Sequence, residues 1–153
     1  MTRFALFAAF FLAGVFSLTL VGSAVADSNF HTERIPLMVV GGAPLKTGFV
    51  VDIHANGRQV FAIERYVLVG AASKATYHVR LQLFGDSAGC AANTHITTVP
   101  TATVQTNVAG NGAAGFVFRP AGAPRNVKVG IVWEFTRDGN VVYRTACTTV
   151  TTD

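Results

Sequence analysis

Hydrophobic and polar residues alternate with a period of two along much of the chain, which is typical of β-strands. The clearest stretch is 77–84, in which every second residue is apolar: Tyr77, Val79, Leu81 and Leu83. We expect these side chains to face a core and the polar residues between them, such as His78, to face solvent. After Asp27 the chain does not carry the apolar spacing of a helix over three turns.

Turn residues separate the alternating runs. Asn56-Gly57 and Asp138-Gly139 favour two-residue hairpin turns, because such residues tolerate positive φ. A further hairpin is predicted around 109–112, and Pro36 indicates an edge strand because proline donates no ladder hydrogen bond. The predicted strands are 34–40, 49–55, 58–69, 77–84, 101–108, 113–119, 127–136 and 140–150.

About seven or eight short strands bury their apolar faces most economically as two stacked sheets. We therefore predict an all-β antiparallel β-sandwich that forms a single domain, residues 27–153. The chain shows no linker or fixed-period repeat that would divide this domain.

One segment resembles fibronectin type III and immunoglobulin-like sandwiches. It consists of Tyr66-x-Leu68-x-Gly70, six further residues, and then Tyr77-x-Val79-x-Leu81. The resemblance implies an immunoglobulin-like sandwich with Tyr77 as the tyrosine corner, its hydroxyl bonded to nearby backbone. Ala71, Ser73 and Ala75 depart from the residues usual in that family, so the resemblance implies an architecture and not a named family.

A second resemblance is to small secreted immunoglobulin-like apoproteins that carry enediyne chromophores. The chain shares their bias toward Ala, Gly, Thr and Val and a hairpin like 106–112. Those proteins usually have two disulfides, whereas this chain has two cysteines. A small-molecule carrier is therefore an alternative that rests on analogy of fold alone.

The first 26 residues have the pattern of a secretory signal peptide. Arg3 precedes an apolar stretch, 4–20, and small residues at Ala24 and Ala26 form an Ala-x-Ala cleavage site. We predict cleavage after Ala26 and secretion without a membrane anchor, the alternative being an uncleaved anchor. Cys90 and Cys147, the only thiols, are expected to form one disulfide in an oxidising compartment.

Asp52 and His54 are the strongest candidates for chemistry, because a spacing of two puts them on one strand face. Val51 and Ile53 share the opposite face of the strand. The pair could supply a base and its orienting group, or metal ligands if His78 joined them. The alternative is an ordinary solvated strand face.

Three cations form a candidate contact patch around the loop 119–126: Arg119, Arg125 and Lys128. Such a patch could meet an acidic surface, or it could belong to a solvated loop. Segment 86–95 is a second candidate contact loop. Trp133, the only tryptophan, lies in an apolar strand and is expected in the core, although a surface tryptophan could bind sugar or protein.

Composition limits the function classes. A net charge of +4 with 13% charged residues does not suggest a nucleic-acid binder. Gly85-Asp86-Ser87-Ala88-Gly89 has the G-x-S-x-G spacing, but the residues after it do not carry the helical pattern that a nucleophile elbow requires. The chain has no Gly-rich phosphate loop that precedes a helix. We therefore expect a secreted, non-catalytic binding module without a cofactor, its partner being a protein, a glycan or a small molecule. The alternatives are a secreted hydrolase or metal-dependent enzyme using Asp52 and His54, and a carrier or protease inhibitor.

Overall fold

The computed structural model describes residues 30–55, 62–85, 90–91, 94–121 and 126–152, and these residues form nine β-strands. The predicted signal peptide, residues 1–26, lies outside the described residues. The strands are β1 (Phe30–Val39), β2 (Thr47–Ala55), β3 (Ala62–Val69), β4 (Thr76–Gly85), β5 (Thr94–Gln105), β6 (Gly112–Phe118), β7 (Lys128–Arg137), β8 (Asn140–Thr145) and β9 (Thr148–Thr151).

The strands form one antiparallel, nearly closed, barrel-like sheet. Their order is β5-β4-β7-β8-β1-β2-β3-β6, and β9 adds to the side of β7 that also carries β8. This confirms the prediction of an all-β antiparallel fold, with nine strands where about seven or eight were expected.

Strand β1 connects the two halves of the sheet. Its residues 30–36 pair with β2, and its residues 37–39 pair with β8. Pro36 is the last residue of the first ladder, so it stands where the strand changes partner and one ladder hydrogen bond can be given up. Pro36 is paired on one side only, with Phe49 of β2, so the pairing agrees with the prediction of an edge position there.

The ends of the sheet path, β5 and β6, approach each other without forming the predicted hairpin. Strand β5 pairs with β4, whereas β6 pairs with β3. The turn 106–111 carries the chain from one end of the path to the other. At Gly112 the two strands come so close that a side chain would collide with the carbonyl oxygen of Gln105. This contact is what nearly closes the barrel.

The hairpin predicted at Asp138-Gly139 is confirmed. These residues join β7 to β8 and have φ values of 51° and 79°, as a type I′ turn requires. The predicted strands on either side of Asn56-Gly57 are observed as β2 and β3, which pair antiparallel. The Asn56-Gly57 turn itself lies outside the described residues.

The predicted disulfide between Cys90 and Cys147 is confirmed. Cys147 lies between β8 and β9, where the ladder along β7 is interrupted. At this break the hydroxyl of Thr145 accepts a hydrogen bond from the backbone N–H of Trp133, at 3.1 Å. The disulfide therefore joins Cys90, five residues after the end of β4, to this break in the ladder.

The core fills the space enclosed by the sheet, and its largest members are aromatic. In β4 the expected alternation is confirmed, because Tyr77, Val79 and Leu81 are buried and His78 is exposed. Trp133 is fully buried, as expected of a core tryptophan. Burial of such apolar surface is the main favourable contribution to folding, at about 25 cal/mol per Å². The fully buried aromatic residues are Trp133, Tyr66, Tyr77, Tyr143 and Phe135.

Two tyrosine hydroxyls connect this core to the loops. The hydroxyl of Tyr77 accepts a hydrogen bond from the N–H of Ala72 at 3.1 Å, the kind of contact that the fibronectin resemblance implies. It lies 3.3 Å from the hydroxyl of Tyr143, which itself donates to the carbonyl oxygen of Pro44 at 2.6 Å. Because Tyr143 has only one hydroxyl hydrogen, Tyr77 is the donor between the two rings.

Candidate functional site

The solvent side of strands β4, β5, β7 and β8 carries a connected set of polar side chains, which we call the polar face. It follows from the alternation along β4, whose outward positions pair with outward positions of β5 and β7. Its members are Arg80, Gln82, His95, Thr98, Glu134 and Arg144.

Hydrogen bonds hold the polar face in one arrangement. Glu134 Oε2 accepts from Arg80 Nε at 2.7 Å and from Gln82 Nε2 at 2.9 Å. The other end of the Gln82 amide, Oε1, accepts from the hydroxyl of Thr98 at 2.6 Å and lies 2.7 Å from His95 Nε2. Because Gln82 donates on one side and accepts on the other, its amide has a defined orientation.

The charges of the polar face form a row across three strands. Arg80 lies opposite Glu134, and Glu134 lies opposite Arg144 on its other side. The Arg80 side chain is 40% exposed and that of Glu134 is 16% exposed. Two guanidinium groups against one carboxylate leave this row with an excess positive charge, which favours an anionic group on a ligand.

Both predicted contact loops begin at one end of the barrel, which we call the loop end. Gly85, where the segment 86–95 starts, pairs with Val129 near the start of β7, just after the segment 119–126. Gly85 also pairs with Thr94. The structure therefore brings the bases of the two loops together beside the polar face, although residues 86–89, 92–93 and 122–125 lie outside the described residues.

The predicted cationic patch is described in part. Arg119 is exposed just after β6, and Lys128 is exposed at the start of β7. Arg125 lies outside the described residues. Between them, the N–H of Asn126 donates to the carbonyl oxygen of Thr152, which ties this loop to the end of β9.

The side chain of Asp52 points into the core, and the predicted solvated face of β2 is wrong. Asp52 is 3% exposed and Val50 is fully buried, whereas Val51 is only half-buried. Val50 and Val51 are both apolar, so the alternation in the sequence fits either phase, and the structure adopts the phase that buries Asp52.

Asp52 belongs to a group that we call the interior acid cluster: Asp52, Glu64, Tyr66 and Trp133. Asp52 on β2 and Glu64 on β3 lie directly opposite each other, and Glu64 is 2% exposed. The hydroxyl of Tyr66 donates a hydrogen bond to Glu64 Oε2. Asp52 Oδ1 and the indole Nε1 of Trp133 are buried without a hydrogen-bond partner.

Burial raises the pKa of both carboxyl groups. The pKa of Asp52 rises to about 6, first through burial and then through the charge of Glu33 on β1. Burial also raises the pKa of Glu64 to about 7, against the lowering effect of the Tyr66 and Trp133 side chains. The same burial and the Glu64 charge raise the pKa of Tyr66, so its hydroxyl stays protonated. Near neutral pH the cluster can therefore hold or release protons.

The three predicted metal ligands are not brought together. On β2, Nε2 of His54 lies 4.0 Å from Oδ2 of Asp52. His78 lies on the solvent side of β4, with its Nδ1 3.3 Å from the hydroxyl of Thr103. Among the described residues, no group of three or more His, Cys, Asp or Glu side chains could hold a metal ion. The three side chains cannot converge on one metal ion, because Asp52 faces the core and His78 faces solvent.

Sequence reasoning missed Glu64. A signal was available, because Glu64, Tyr66 and Leu68 alternate with a spacing of two and therefore share one face of β3. Tyr66 and Leu68 are typical core residues, and their phase places Glu64 in the core with them. The polar face was missed as a unit because only the pairing of β4 with β5 and β7 shows which polar residues meet.

Within residues 30–152, as far as the structure describes them, there is no helix of the length and hydropathy that crossing a bilayer requires. Comparison of the chain with family models, with curated proteins and with solved structures found no significant match to any of them.

Proposed function

We propose that the protein is a secreted, non-catalytic binding module that contacts its ligand through the polar face and the adjoining loops 86–95 and 119–126. The observation that carries this proposal is the hydrogen-bond network that runs from His95 through Gln82 to Glu134 and Arg80. Side chains already held in one arrangement lose little conformational entropy on binding, which favours affinity.

The chemistry of the polar face favours a hydrophilic ligand that carries anionic groups, such as an acidic glycan. The excess guanidinium charge beside Glu134 suits a carboxylate or sulfate, since guanidinium groups bind such anions in a bidentate manner. The Gln82, His95 and Thr98 side chains offer groups of the kind that bind sugar hydroxyls.

Secretion is part of the proposal and rests on the signal-peptide pattern of residues 1–26. The Cys90–Cys147 disulfide is compatible with an extracellular location. An immunoglobulin-like arrangement of the sheet is likewise proposed, with support from the contact between Tyr77 and the backbone of Ala72. A carrier or protease inhibitor on such a scaffold is a special case of the same proposal.

A hydrolase that uses Asp52 and His54 is the alternative. The Asp52 side chain is only 4% exposed, so a sugar or peptide substrate does not reach it in this conformation. This observation favours the binding module over the enzyme.

The proposal is tested with the purified protein and a panel of immobilised neutral and acidic polysaccharides. The variant Arg144→Ala removes one charge of the polar face, and Gln82→Ala removes the centre of its network. The matched control is Arg65→Ala, because Arg65 is exposed on β3, outside the polar face.

We expect retention on an acidic polysaccharide that weakens at high salt and falls about tenfold in R144A and Q82A, since a contact of this kind is worth about 1.4 kcal/mol. R65A should bind like the wild type. Equal retention of R144A, Q82A and R65A would contradict the proposed surface, and failure to bind any member of the panel would contradict the proposed ligand class.

A further inference from the structure

The interior acid cluster lies between the two sides of the barrel, close to the loop end. Asp52 and Glu64 come from β2 and β3, whereas Trp133 comes from β7 on the other side of the core. Tyr66 packs edge-on against Phe135 of β7, with ring centroids 5.8 Å apart. Counted from the loop end, the pair His54–Ala62 comes first, and Asp52–Glu64 lies two residues further in.

The groups that surround the two carboxyls offer little compensation for negative charge. From β1, Glu33 lies opposite Asp52 and adds a like charge. On β2 the imidazole of His54 is charged only if it is protonated, and on β3 Tyr66 donates one hydrogen bond. The other strands packed against the cluster contribute neutral side chains: Phe116 of β6, Trp133 of β7 and Thr101 of β5.

The two carboxylates would therefore need water to solvate their charge, and the buried cluster has almost no contact with solvent. A buried carboxylate is stabilised only by hydrogen bonds, a cation or solvent, and two carboxylates on facing strands also repel each other. On the side toward the loop end, the His54 side chain, two residues from Asp52, is already 20% exposed to solvent. Burial raises the pKa of Asp52 to about 6 and that of Glu64 to about 7, so both groups are protonated in mild acid and ionised in mild base.

We propose that the interior acid cluster is a proton-controlled switch. With Asp52 and Glu64 protonated, β2 and β3 close tightly on β7 at the loop end. When the two carboxyls ionise, water enters from the loop end and loosens β2 and β3 there. The switch does not depend on the ligand proposed for the polar face, because it follows from the core alone.

The chain carries its own reporter for this change. Trp133 is the only tryptophan, and its indole lies against the Glu64 carboxyl. The test is a titration of tryptophan fluorescence from pH 4.5 to pH 8.5, together with amide hydrogen exchange of the whole protein at pH 5 and pH 8, corrected for the intrinsic rates. We expect one fluorescence transition centred between pH 6 and 7. Protection of β2 and β3 near the loop end should fall on the order of tenfold at pH 8.

Variants assign the transition to the cluster. Glu64→Gln should abolish the fluorescence transition, because an amide does not titrate. Asp52→Asn should shift it to lower pH, since the Asp52 charge raises the pKa of Glu64. Glu134→Gln, the same substitution on the polar face, should leave the transition unchanged, and His54→Gln should retain a transition because Glu64 still titrates.

Three outcomes would overturn the switch: a wild-type transition outside pH 5 to 8, a transition that persists in E64Q, or a transition lost in H54Q and kept in E64Q. Should E64Q fail to fold, the exchange data on the wild type decide alone. Equal corrected protection of β2 and β3 at pH 5 and pH 8 also overturns the proposal.

Discussion

Asp52 and Glu64 face each other across β2 and β3, and both residues are buried inside the barrel, at 3% and 2% exposure. Carboxyl groups are seldom buried this completely unless they are paired with a cation. Here the neighbours are a tyrosine hydroxyl, a tryptophan, a second carboxyl and the imidazole of His54, whose Nε2 lies 4.0 Å from Asp52 Oδ2. The free energy of the fold therefore depends on whether these two groups carry protons.

Stability should fall as the pH rises from 4.5 to 8. In the folded protein the pKa values of Asp52 and Glu64 are raised to about 6 and about 7, from ordinary values of 3.8 and 4.5. Folded-state pKa values above the unfolded ones mean that protons bind the folded state more tightly. The resulting stabilisation is complete below about pH 4 and is lost as the pH rises through 7, by up to about 3 kcal/mol for each carboxyl.

Urea unfolding of the wild type, E64Q and D52N at the two pH values checks this dependence. We expect E64Q and D52N to gain about 2 kcal/mol over the wild type at pH 8 and to differ by less than about 1 kcal/mol at pH 4.5. E134Q is the matched control: it breaks an ion pair with Arg80 and should lose about 0–1 kcal/mol at pH 8. A loss in E64Q larger than that in E134Q at pH 8 would contradict the expected sign.

The hydroxyl chain from Ala72 through Tyr77 and Tyr143 to Pro44 should stabilise the loops it reaches. We expect Tyr77→Phe to cost about 2 kcal/mol, because it leaves the Ala72 N–H and the Tyr143 hydroxyl each without one partner. Tyr143→Phe, which removes the bond to Pro44, should cost about 1 kcal/mol or more. The measurement is the free energy of unfolding in urea. If both variants were as stable as the wild type, the chain of hydroxyls would have no energetic role.

Gly110 should not tolerate a side chain. Its φ is +74°, and a Cβ atom there would lie 2.0 Å from the carbonyl oxygen of Ala71. Gly41 has nearly the same φ, +72°, with open space around it, and so provides the matched control. We expect Gly41→Ala to cost about 1 kcal/mol, for the positive φ alone, and Gly110→Ala to cost at least about 3 kcal/mol. Equal melting temperatures for the two variants would show that the close approach to Ala71 is absent.

The disulfide should contribute through the length of the loop that it closes. Cys90 and Cys147 are 57 positions apart, which corresponds to about 4 kcal/mol in the chain-entropy model. We expect the double variant C90A/C147A to lose a stability of this order, measured by urea unfolding without reductant. Reductant should destabilise the wild type and leave the double variant unchanged. An effect of reductant on the double variant would point to a cause other than this bond.

Much of the fold could be predicted where side chains alternate without ambiguity. In β4, Tyr77, Val79 and Leu81 fix the buried phase, and at Asp138-Gly139 the turn residues fix the hairpin. The disulfide followed from the count of cysteines. These features depend on local sequence, so a single chain is enough to predict them.

The remainder depends on contacts between distant residues. The turn 106–111 has hairpin chemistry, yet the flanking strands pair with β4 and β3, because partner choice is decided by packing across the core. In β2, the apolar pair Val50–Val51 fits either phase, and only the pairing of β2 with β1 and β3 shows that Asp52 lies on the buried side. The polar face likewise exists only once β4, β5 and β7 are in register.

The most direct test of the central claim, that two carboxyl groups with raised pKa values lie inside the barrel, is a carbon-13 NMR titration of the side-chain carboxyls. Assigned Asp52 and Glu64 resonances should titrate with midpoints near the raised pKa values of about 6 and about 7. Midpoints for Asp52 and Glu64 near 3.8 and 4.5 would place both groups in water and contradict the account.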